Sequence, residues 1–302
     1  MGNASPVVYR SGLNDSSRWQ GFPLRAGDIV ISAPSKCGTT WLQMICALLI
    51  FRTPDLPGPL TSLSPWLDMC LRPIGEVTRT LTAQRHRRFI KTHTPLDGLP
   101  WRPDVTYLVV GRDPRDVAVS MHHHRRNLDD EVIHRLLPGS GSAPSRPAGS
   151  RERVLQWISD SLPGLVHHLG QAWERRDDPA VVLVHHADLS RDLDGEMRRI
   201  AGRLGIEIPE EAWPGLVAAA GFEAMRARAG ELAPDEQLGL FTSKSAFFRS
   251  GRAGEWRDLL TGEDEAAYDR LLRSLATAEF VEWLHRSPSN TTVNDRSSTD
   301  SV

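Results

Sequence analysis

The chain has 302 residues, of which 40% are hydrophobic and 25% are charged, so its apolar side chains suffice for a sizeable folded core. Its 36 basic and 38 acidic side chains leave a formal charge of −2, which gives no general field for binding nucleic acid or an anionic membrane. The three cysteines show no disulfide or zinc spacing, residues 1–10 lack the apolar region of a signal peptide, and the longest apolar run is too short to span a bilayer. We therefore expect a cytoplasmic protein without a nucleic-acid or membrane partner.

Short apolar runs alternate with helical segments along the chain. Runs typical of buried strands lie at residues 28–32, 89–90, 106–110 and 181–184. Helices are predicted at residues 40–51, 115–126, 154–173 and 193–204. Pro114 suits the start of the second helix, whereas Pro163 and Gly164 predict a break or kink in the third. This alternation predicts an α/β fold, a single domain whose central parallel sheet is flanked by helices, with ligands bound beyond the carboxyl ends of the strands.

Two stretches lack the patterns of regular structure. Residues 137–150 are rich in proline, glycine and serine and predict a flexible loop within the domain. Residues 287–302 are polar, have no apolar periodicity, and predict a disordered tail. We therefore expect one folded domain at residues 20–286.

The loop after the first predicted strand has the parts of a phosphate cradle. Its sequence, at residues 33–41, reads Ala-Pro-Ser-Lys-Cys-Gly-Thr-Thr-Trp. Gly38 permits a tight turn whose N–H groups converge on an anion. Thr39 and Thr40 add hydroxyl donors at the start of a helix, and Lys36 adds a positive charge. The lysine of a Walker A loop follows its last glycine, whereas Lys36 precedes Gly38, so a nucleoside triphosphatase is disfavoured. The alternative to a phosphate cradle is an ordinary strand-to-helix turn with lysine and threonine at the surface.

The pattern Pro-x-Lys-x-Gly-Thr-Thr-Trp resembles the 5′-phosphosulfate loop of the cytosolic-type sulfotransferase family, and we expect a bacterial member. The resemblance implies a P-loop-like site in which residues 36–41 bind the sulfonate donor, 3′-phosphoadenosine-5′-phosphosulfate (PAPS). Cys37 stands where that family usually has serine, so the backbone is expected to supply its contact. Trp41 matches the tryptophan that stacks on the adenine ring.

A lysine and a histidine close the second predicted strand. Lys91 and His93 are two residues apart, so in an extended segment their side chains point into the same cleft. A neutral histidine is a suitable base near pH 7, because its unperturbed pKa is about 6.5. A single histidine among eleven is more often a surface or core residue, but Lys-Thr-His followed by proline resembles the catalytic segment of the family. The resemblance implies that His93 is the general base and that Lys91 and Lys36 are catalytic.

A second phosphate site is indicated by Arg112 and Ser120. Arg112 directly follows the third predicted strand, and Ser120 lies eight residues later on the next helix, so the two can bracket one phosphate. The resemblance implies that they bind the 3′-phosphate of PAPS. From the residues alone, an ion pair of Arg112 with Asp113 or Asp116 is the alternative.

Five further residues, in three later parts of the chain, complete the resemblance. Residues 248–256 read Phe-Arg-Ser-Gly-Arg-Ala-Gly-Glu-Trp and resemble the family's loop over the 3′-phosphate, which implies contacts from Arg249, Ser250 and Gly251. Phe222 matches a neighbour of the adenine ring. His186 stands where the family usually has tyrosine, also beside adenine.

The histidines at residues 122–124 form an unusual run. Consecutive residues on a helix point to different sides, so they predict a solvated face rather than a metal site. We therefore predict no metal.

Together, these matches imply transfer of a sulfonate group from PAPS to a hydroxyl or amine of a small-molecule acceptor, by in-line displacement, with release of adenosine 3′,5′-bisphosphate (PAP). A phosphate-loop kinase and a nucleotide-binding module without catalysis stay open as alternatives. The acceptor is expected to lie against residues 68–87 and 127–151. The dimer segment of the family is only partly matched at residues 257–266, so no oligomeric state is predicted.

Overall fold

A computed structural model describes residues 5–136, 149–235 and 238–288 of the chain. Most of the predicted loop at residues 137–150 and of the predicted tail at residues 287–302 therefore lies outside the described residues. Ser150, at the end of the predicted loop, belongs to a helix.

The described residues build the fold on a four-stranded parallel sheet. Its strands run in the order β2-β1-β3-β4 and comprise β1 Ile29–Ser32, β2 Phe89–Thr92, β3 Thr106–Gly111 and β4 Val181–His185. Ile29 of β1 is aligned with Phe89 of β2 and with Thr106 of β3, while Tyr107 of β3 is aligned with Val181 of β4. Nearly all strand residues are buried, which explains why each strand is a continuous apolar run. The prediction of a central parallel sheet is confirmed.

Helices flank this sheet. They are α1 Thr39–Phe51, α2 Leu60–Leu63, α3 Ile74–Ala83, α4 Pro114–Arg126, α5 Asp130–Leu136, α6 Ser150–Trp173, α7 His186–Arg191, α8 Leu193–Leu204, α9 Trp213–Ala220, α10 Phe222–Ala227, α11 Ala229–Leu232, α12 Gly262–Leu275 and α13 Ala278–Leu284. Helix α1 contacts β1 and β2, and α6 contacts β3 and β4. Across the described parts of the chain, no helix has the length and apolar character needed to cross a membrane.

Of the break or kink predicted at Pro163 and Gly164, the break is wrong. Helix α6 is continuous and carries Pro163 in its interior. A proline there removes one backbone hydrogen bond and costs about 3 kcal/mol. Leu162, Leu165 and Leu169 of the same helix are buried in the core. This tertiary packing outweighs the local cost, because most of the stability of a helix in a protein comes from its buried face.

Parallel strands end at one edge of the sheet, and this edge collects the candidate residues. The chain leaves β1 at Ala33, β2 at His93, β3 at Arg112 and β4 at His186. Since β1 lies between β2 and β3, the loop after β1 is placed between His93 and Arg112.

A short segment extends the sheet beyond β2 and was not predicted. The Lys91 N–H donates to the Pro65 carbonyl at 3.0 Å, and the Leu67 N–H donates to the Lys91 carbonyl at 3.4 Å. This pairing brings Trp66 and Asp68 next to the strand that leads to His93.

Candidate active site

The predicted site residues surround one cavity at the carboxyl edge of the sheet. All of them except Cys37 line it, namely Lys36, Gly38, Thr39, Thr40, Trp41, Lys91, His93, Arg112, Ser120, His186, Phe222, Arg249, Ser250 and Gly251. Segments far apart in the sequence therefore meet at one place.

The loop between β1 and α1 has the backbone of an anion cradle. Lys36 has a φ of 68° and Gly38 a φ of 121°, both in the region that favours glycine. A Cβ atom on Gly38 would lie 3.5 Å from Val110 and from His186, so the loop packs closely on the strand exits. The hydroxyl oxygen of Thr39 is buried at the start of α1 and has no hydrogen-bond partner among the described residues. An anion at this helix start would supply that partner.

Cationic side chains gather around this loop. The Lys36 Nζ lies 4.0 Å from the centre of the Phe247 ring. Burial lowers the pKa of Lys36 to about 7, and three neighbouring cations act in the same direction, namely Arg112, Lys91 and Arg249. Like charges held this close together raise one another's free energy, so the cluster favours a bound anion.

Within the described residues, the Arg112 guanidinium makes hydrogen bonds only to carbonyl groups. Its Nη1 donates to the Lys36 carbonyl at 3.4 Å, and its Nη2 donates to the Arg252 carbonyl at 3.2 Å. Its Nε is buried and has no partner in the described part of the chain. The guanidinium therefore joins the loop after β1 to the loop that contains Arg252.

The alternative ion pair between Arg112 and its neighbouring aspartates is wrong. Asp113 pairs instead with Arg115 at 2.7 Å. Asp116 accepts the backbone N–H of Gly254 at 2.8 Å, and burial raises the pKa of this carboxyl group to about 6. Both carboxylates thus stabilise the surrounding structure.

His93 is a neutral imidazole with a defined proton position. Its Nδ1 lies 2.5 Å from the carbonyl oxygen of Ala33. A carbonyl can only accept, so Nδ1 carries the proton and Nε2 keeps a lone pair. Burial lowers the pKa of His93 to about 3, and the charge of Lys91 acts in the same direction. The ring, which meets Trp66 edge-on at 4.6 Å, is thus in the form that a general base requires.

Buried polar groups that sequence analysis missed hold the exit of β2. The Asp68 carboxylate accepts from the hydroxyl groups of Thr92 and Thr94, which flank His93, at 2.5 Å each. The Ser32 hydroxyl donates to the Thr94 carbonyl at 2.6 Å. The two threonines lie 24 and 26 residues from Asp68 in sequence, so no local signal marks this carboxylate.

The loop at residues 249–254 forms another side of the cavity. Arg249 is paired with Glu255, and both side chains line the cavity. Gly251 has a φ of 65°, and a Cβ atom there would lie only 2.8 Å from the ring of Phe222. The loop therefore packs directly on Phe222, and only glycine permits that contact.

Aromatic rings gather where the sequence places adenine. The Trp41 Nε1 donates to the Ala220 carbonyl at 2.9 Å, and its ring meets His186 edge-on at 5.2 Å. Burial lowers the pKa of His186 well below its usual value, so this ring is also neutral. Phe222 follows closely after Ala220 and lines the same cavity.

The prediction of a solvated face at residues 122–124 is wrong. His122 is buried, and His124 lines the cavity with its ring 5.6 Å from Phe241 and 6.0 Å from Phe247. A later segment of the chain folds back onto the end of α4, a long-range contact that the helical pattern does not reveal. Among the described residues, no group of three His, Cys, Asp or Glu side chains is placed to hold a metal ion.

The remaining wall of the cavity, here called the apolar wall, is formed by hydrophobic side chains. Its members are Leu13, Trp66, Met69, Leu71, Leu128, Ile133, Met225, Pro234, Leu240, Phe241, Phe247 and Phe248. Met69, Leu71, Leu128 and Ile133 belong to the predicted acceptor stretches at residues 68–87 and 127–151, whereas the other members lie outside those stretches. The cavity thus combines a cationic loop region with a large apolar surface.

The cysteines differ in exposure. Cys37 and Cys46 are buried, and burial raises the pKa of both thiols to about 12. Cys70 is half-buried and lies between Met69 and Leu71 of the apolar wall. The side chain of Cys37 does not line the cavity, so a contact of Cys37 with the donor would have to come from its backbone.

Comparison with known proteins decides the family. Residues 26–288 match the sulfotransferase domain family. The chain belongs to that family. This sulfotransferase is 41% identical to a glycolipid sulfotransferase of Mycobacterium bovis, in an alignment that covers 92% of this chain and 94% of the relative. It is 26% identical to sulfotransferase 1B1 of Mus musculus, over 92% of each chain.

Solved structures confirm the fold of the sulfotransferase. A retinol dehydratase in complex with androsterone and the inactive cofactor PAP has a TM-score of 0.69 and 24% identity, and the match covers 91% of this chain and 88% of that one. A mouse sulfotransferase complexed with PAP has a TM-score of 0.68 and 21% identity, with 89% and 90% covered. These neighbours share the α/β architecture around the central sheet.

Proposed function

We propose that this sulfotransferase moves a sulfonate group from PAPS to a hydroxyl or amine of a small-molecule acceptor, with His93 as general base. One observation carries the proposal: a neutral imidazole, whose Nδ1 proton is fixed by Ala33, lines the same cavity as the cations Lys36 and Arg112. The imidazole suits proton abstraction, and the two cations suit the binding of a phosphorylated donor.

The residues present fit a nucleotide with two phosphate groups. Thr39 Oγ1 and Arg112 Nε are buried polar atoms without a partner in the described part of the chain, and a phosphate beside each would satisfy it. When bound, PAPS supplies a sulfonate joined to a phosphate leaving group. We assign its 5′ side to the loop after β1 (Lys36, the Cys37 backbone, Gly38, Thr39 and Thr40), its 3′-phosphate to Arg112, Ser120, Arg249, Ser250 and Gly251, and its adenine to Trp41, His186 and Phe222.

His93 would take the proton of the acceptor. Its Nε2 lone pair accepts a hydrogen bond from an acceptor hydroxyl, and the proton moves to Nε2 as the acceptor oxygen attacks. The Ala33 carbonyl, which accepts from Nδ1, then stabilises the imidazolium ion. The negative charge of a bound donor would offset the charge of Lys91, which lowers the pKa of His93, and would therefore raise that pKa.

Lys36 and Lys91 would stabilise the negative charge that develops during transfer. Both line the cavity, and Lys91 is held 4.1 Å from the centre of the Trp66 ring, beside His93. Fixed cations and backbone N–H groups are already in place before the reaction and do not need to reorganise. The proposal therefore includes no metal.

We propose a glycolipid, or another hydroxylated amphiphile, as the acceptor. The mycobacterial relatives at 41% and 42% identity are named glycolipid sulfotransferases. The apolar wall offers contacts for a lipid chain, while His93 lies at the same cavity to meet a hydroxyl group.

Calorimetry with PAP, AMP and ATP at fixed salt tests the donor assignment. PAP should bind about 10²–10⁴-fold more tightly than AMP, because its 3′-phosphate gains two charge-assisted contacts of about 1.5–3 kcal/mol each. A preference for ATP would favour the kinase alternative. Equal affinity for PAP and AMP would contradict the assignment of Arg112, Ser120 and Arg249.

Replacing the base separates chemistry from binding. In His93→Ala, the rate of transfer from PAPS should fall by about 10²–10⁴-fold, the usual contribution of a positioned base, while PAP affinity stays unchanged. The exposed His134 provides the control, since His134→Ala should leave both quantities as they are. Near-normal turnover by His93→Ala would remove His93 as base. Tight PAP binding by the wild type without transfer to any acceptor would favour the non-catalytic alternative.

A further inference from the structure

His124 places an imidazole in an apolar surrounding. It lies in the last turn of α4 and lines the cavity between Phe241 and Phe247, whose ring centres are 5.6 and 6.0 Å away. Its Nδ1 is buried and has no hydrogen-bond partner among the residues in the described ranges. A polar group left unpaired in such a place costs about 1–3 kcal/mol, so its presence needs a reason.

The fold fixes this ring in position. Asn127, at the end of α4, donates from its side chain to the Ser243 carbonyl at 2.7 Å and accepts from the Ser243 N–H at 3.0 Å. It also accepts from the Thr242 hydroxyl at 2.9 Å. These bonds hold α4 against the segment that carries Phe241 and Phe247. His124 is therefore a fixed part of the cavity wall rather than a mobile surface group.

The ring also lies close to the proposed point of transfer. The Phe247 ring that flanks His124 is the ring over which Lys36 lies, at 4.0 Å. The charges of Lys36 and Lys91 both lower the pKa of His124. Burial, the largest cause, lowers the pKa of His124 to about 3, so the ring stays neutral and can exchange hydrogen bonds with a neutral hydroxyl group.

We propose that His124 binds a second hydroxyl group of the acceptor, next to the one that His93 deprotonates. The enzyme then selects acceptors with neighbouring hydroxyl groups, as in a sugar ring, over acceptors with one. A site built to pair with a hydroxyl rejects the analogue that lacks it, because its own polar group stays unpaired. This inference rests on the proposed function and specifies its acceptor. The bonds made and broken are unchanged, since His124 contributes a hydrogen bond and no proton.

Two alcohols that differ in one hydroxyl group test the proposal. With PAPS as donor, kcat/KM is measured for octane-1,2-diol and for octan-1-ol, which offer the same alkyl chain to the apolar wall. The wild type should prefer the diol by about tenfold, as expected for one satisfied hydrogen bond. His124→Phe keeps a planar ring but loses both nitrogens, so it should abolish the preference by raising the KM of the diol. Turnover of octan-1-ol should remain.

Two further variants separate binding from structural damage. His124→Gln keeps a hydrogen-bonding group at the cavity wall and should retain part of the preference. His123 precedes it on α4 but does not line the cavity, so His123→Phe should leave the preference intact. Thermal unfolding of each variant shows whether it folds.

Several outcomes would overturn the proposal. They are the absence of a wild-type preference, an undiminished preference in His124→Phe, and an equal loss of kcat/KM on both alcohols in that variant. Transfer to neither alcohol by a wild type that binds PAP would instead reject the proposed function on which the inference rests. Retention of part of the preference by His124→Gln would exclude a merely steric role for the ring.

Discussion

At the scale of single residues, Glu255 stands out because it holds the guanidinium assigned to the 3′-phosphate. Arg249 and Glu255 form an ion pair at the cavity wall, and both side chains are partly exposed. A phosphate on Arg249 would have to compete with this carboxylate and would also be repelled by it. If the 3′-phosphate binds Arg249 as proposed, this carboxylate should therefore limit the affinity for the nucleotide.

We expect Glu255→Gln to bind PAP more tightly, by about two- to fivefold, because a partly exposed ion pair contributes only about 0.2–1 kcal/mol. Calorimetry at low and at high salt measures the change, and the difference should shrink at high salt. Glu263→Gln is the matched control, since this carboxylate lies on α12 and does not line the cavity. Weaker binding by Glu255→Gln would mean that the carboxylate orients Arg249 for the phosphate.

The residues found from the sequence are those whose signal is local. Lys36 and Gly38 stand together in one loop, and Lys91 and His93 stand two residues apart at a strand end. Trp66 and His124 were missed or misread because their role depends on contacts with segments distant in the sequence. A helical wheel gives the direction of a side chain, but it does not show which part of the chain covers it.

At the scale of structural elements, the loop at residues 249–254 depends on one glycine. Gly251 has a positive φ and lies against the Phe222 ring at the start of α10. Any side chain there would push the loop away from α10 and so displace Arg249. The position of this loop is therefore set by a contact that a single methyl group would remove.

We expect Gly251→Ala to weaken PAP binding by about tenfold or more, because the loop moves and one charge-assisted contact is lost. Gly239→Ala is the control: it has a similar φ of 71° but nothing within 4 Å of a Cβ atom. Both variants should lose about 1 kcal/mol of stability to backbone strain, measured by urea unfolding. Equal PAP affinities for the two variants would show that the contact with Phe222 does not position the loop.

The order of strands and helices was predictable because these elements are specified by short patterns. The strand at Thr106–Gly111 and the helix at Leu193–Leu204 agree with their β-branched run and apolar periodicity. Pro163 misled the prediction, because its local preference is outweighed by the leucines that α6 buries. The pairing of Trp66 beside β2 could not be foreseen, since the adjoining segment carries no strand pattern.

At the scale of the whole molecule, buried neutral imidazoles connect stability to pH. Burial lowers the pKa of His93 and His168 to about 3 and that of His185 to about 4. In the unfolded chain these groups titrate near 6.5. Above that pH these histidines are neutral in both the folded and the unfolded chain, so their titration does not change the free energy of unfolding. Below it the unfolded chain binds protons that the folded chain does not, so stability is lost as the pH falls towards 3–4.

We expect the free energy of unfolding to be lower at pH 5 than at pH 7, by up to about 2 kcal/mol for each such histidine, because each contributes up to about 1.4 kcal/mol per pH unit below 6.5. Unfolding by urea at pH 5 and at pH 7 measures this difference in the free energy of unfolding. His168 lies 2.8 Å from the Ser32 hydroxyl, so His168→Gln can keep that bond without titrating and should reduce the pH dependence. Replacing the exposed His134 by glutamine should leave the pH dependence of stability unchanged. Equal stability at the two pH values would contradict the burial of these groups as neutral rings.

The unequal exposure of the three thiols has a practical consequence. Cys37 and Cys46 are enclosed in the core, whereas Cys70 is half-buried between two residues of the apolar wall. A maleimide fluorophore added to the folded protein would therefore attach at one position, at the rim of the proposed acceptor pocket. The natural sequence thus contains a site for an optical reporter of acceptor binding, without an engineered cysteine.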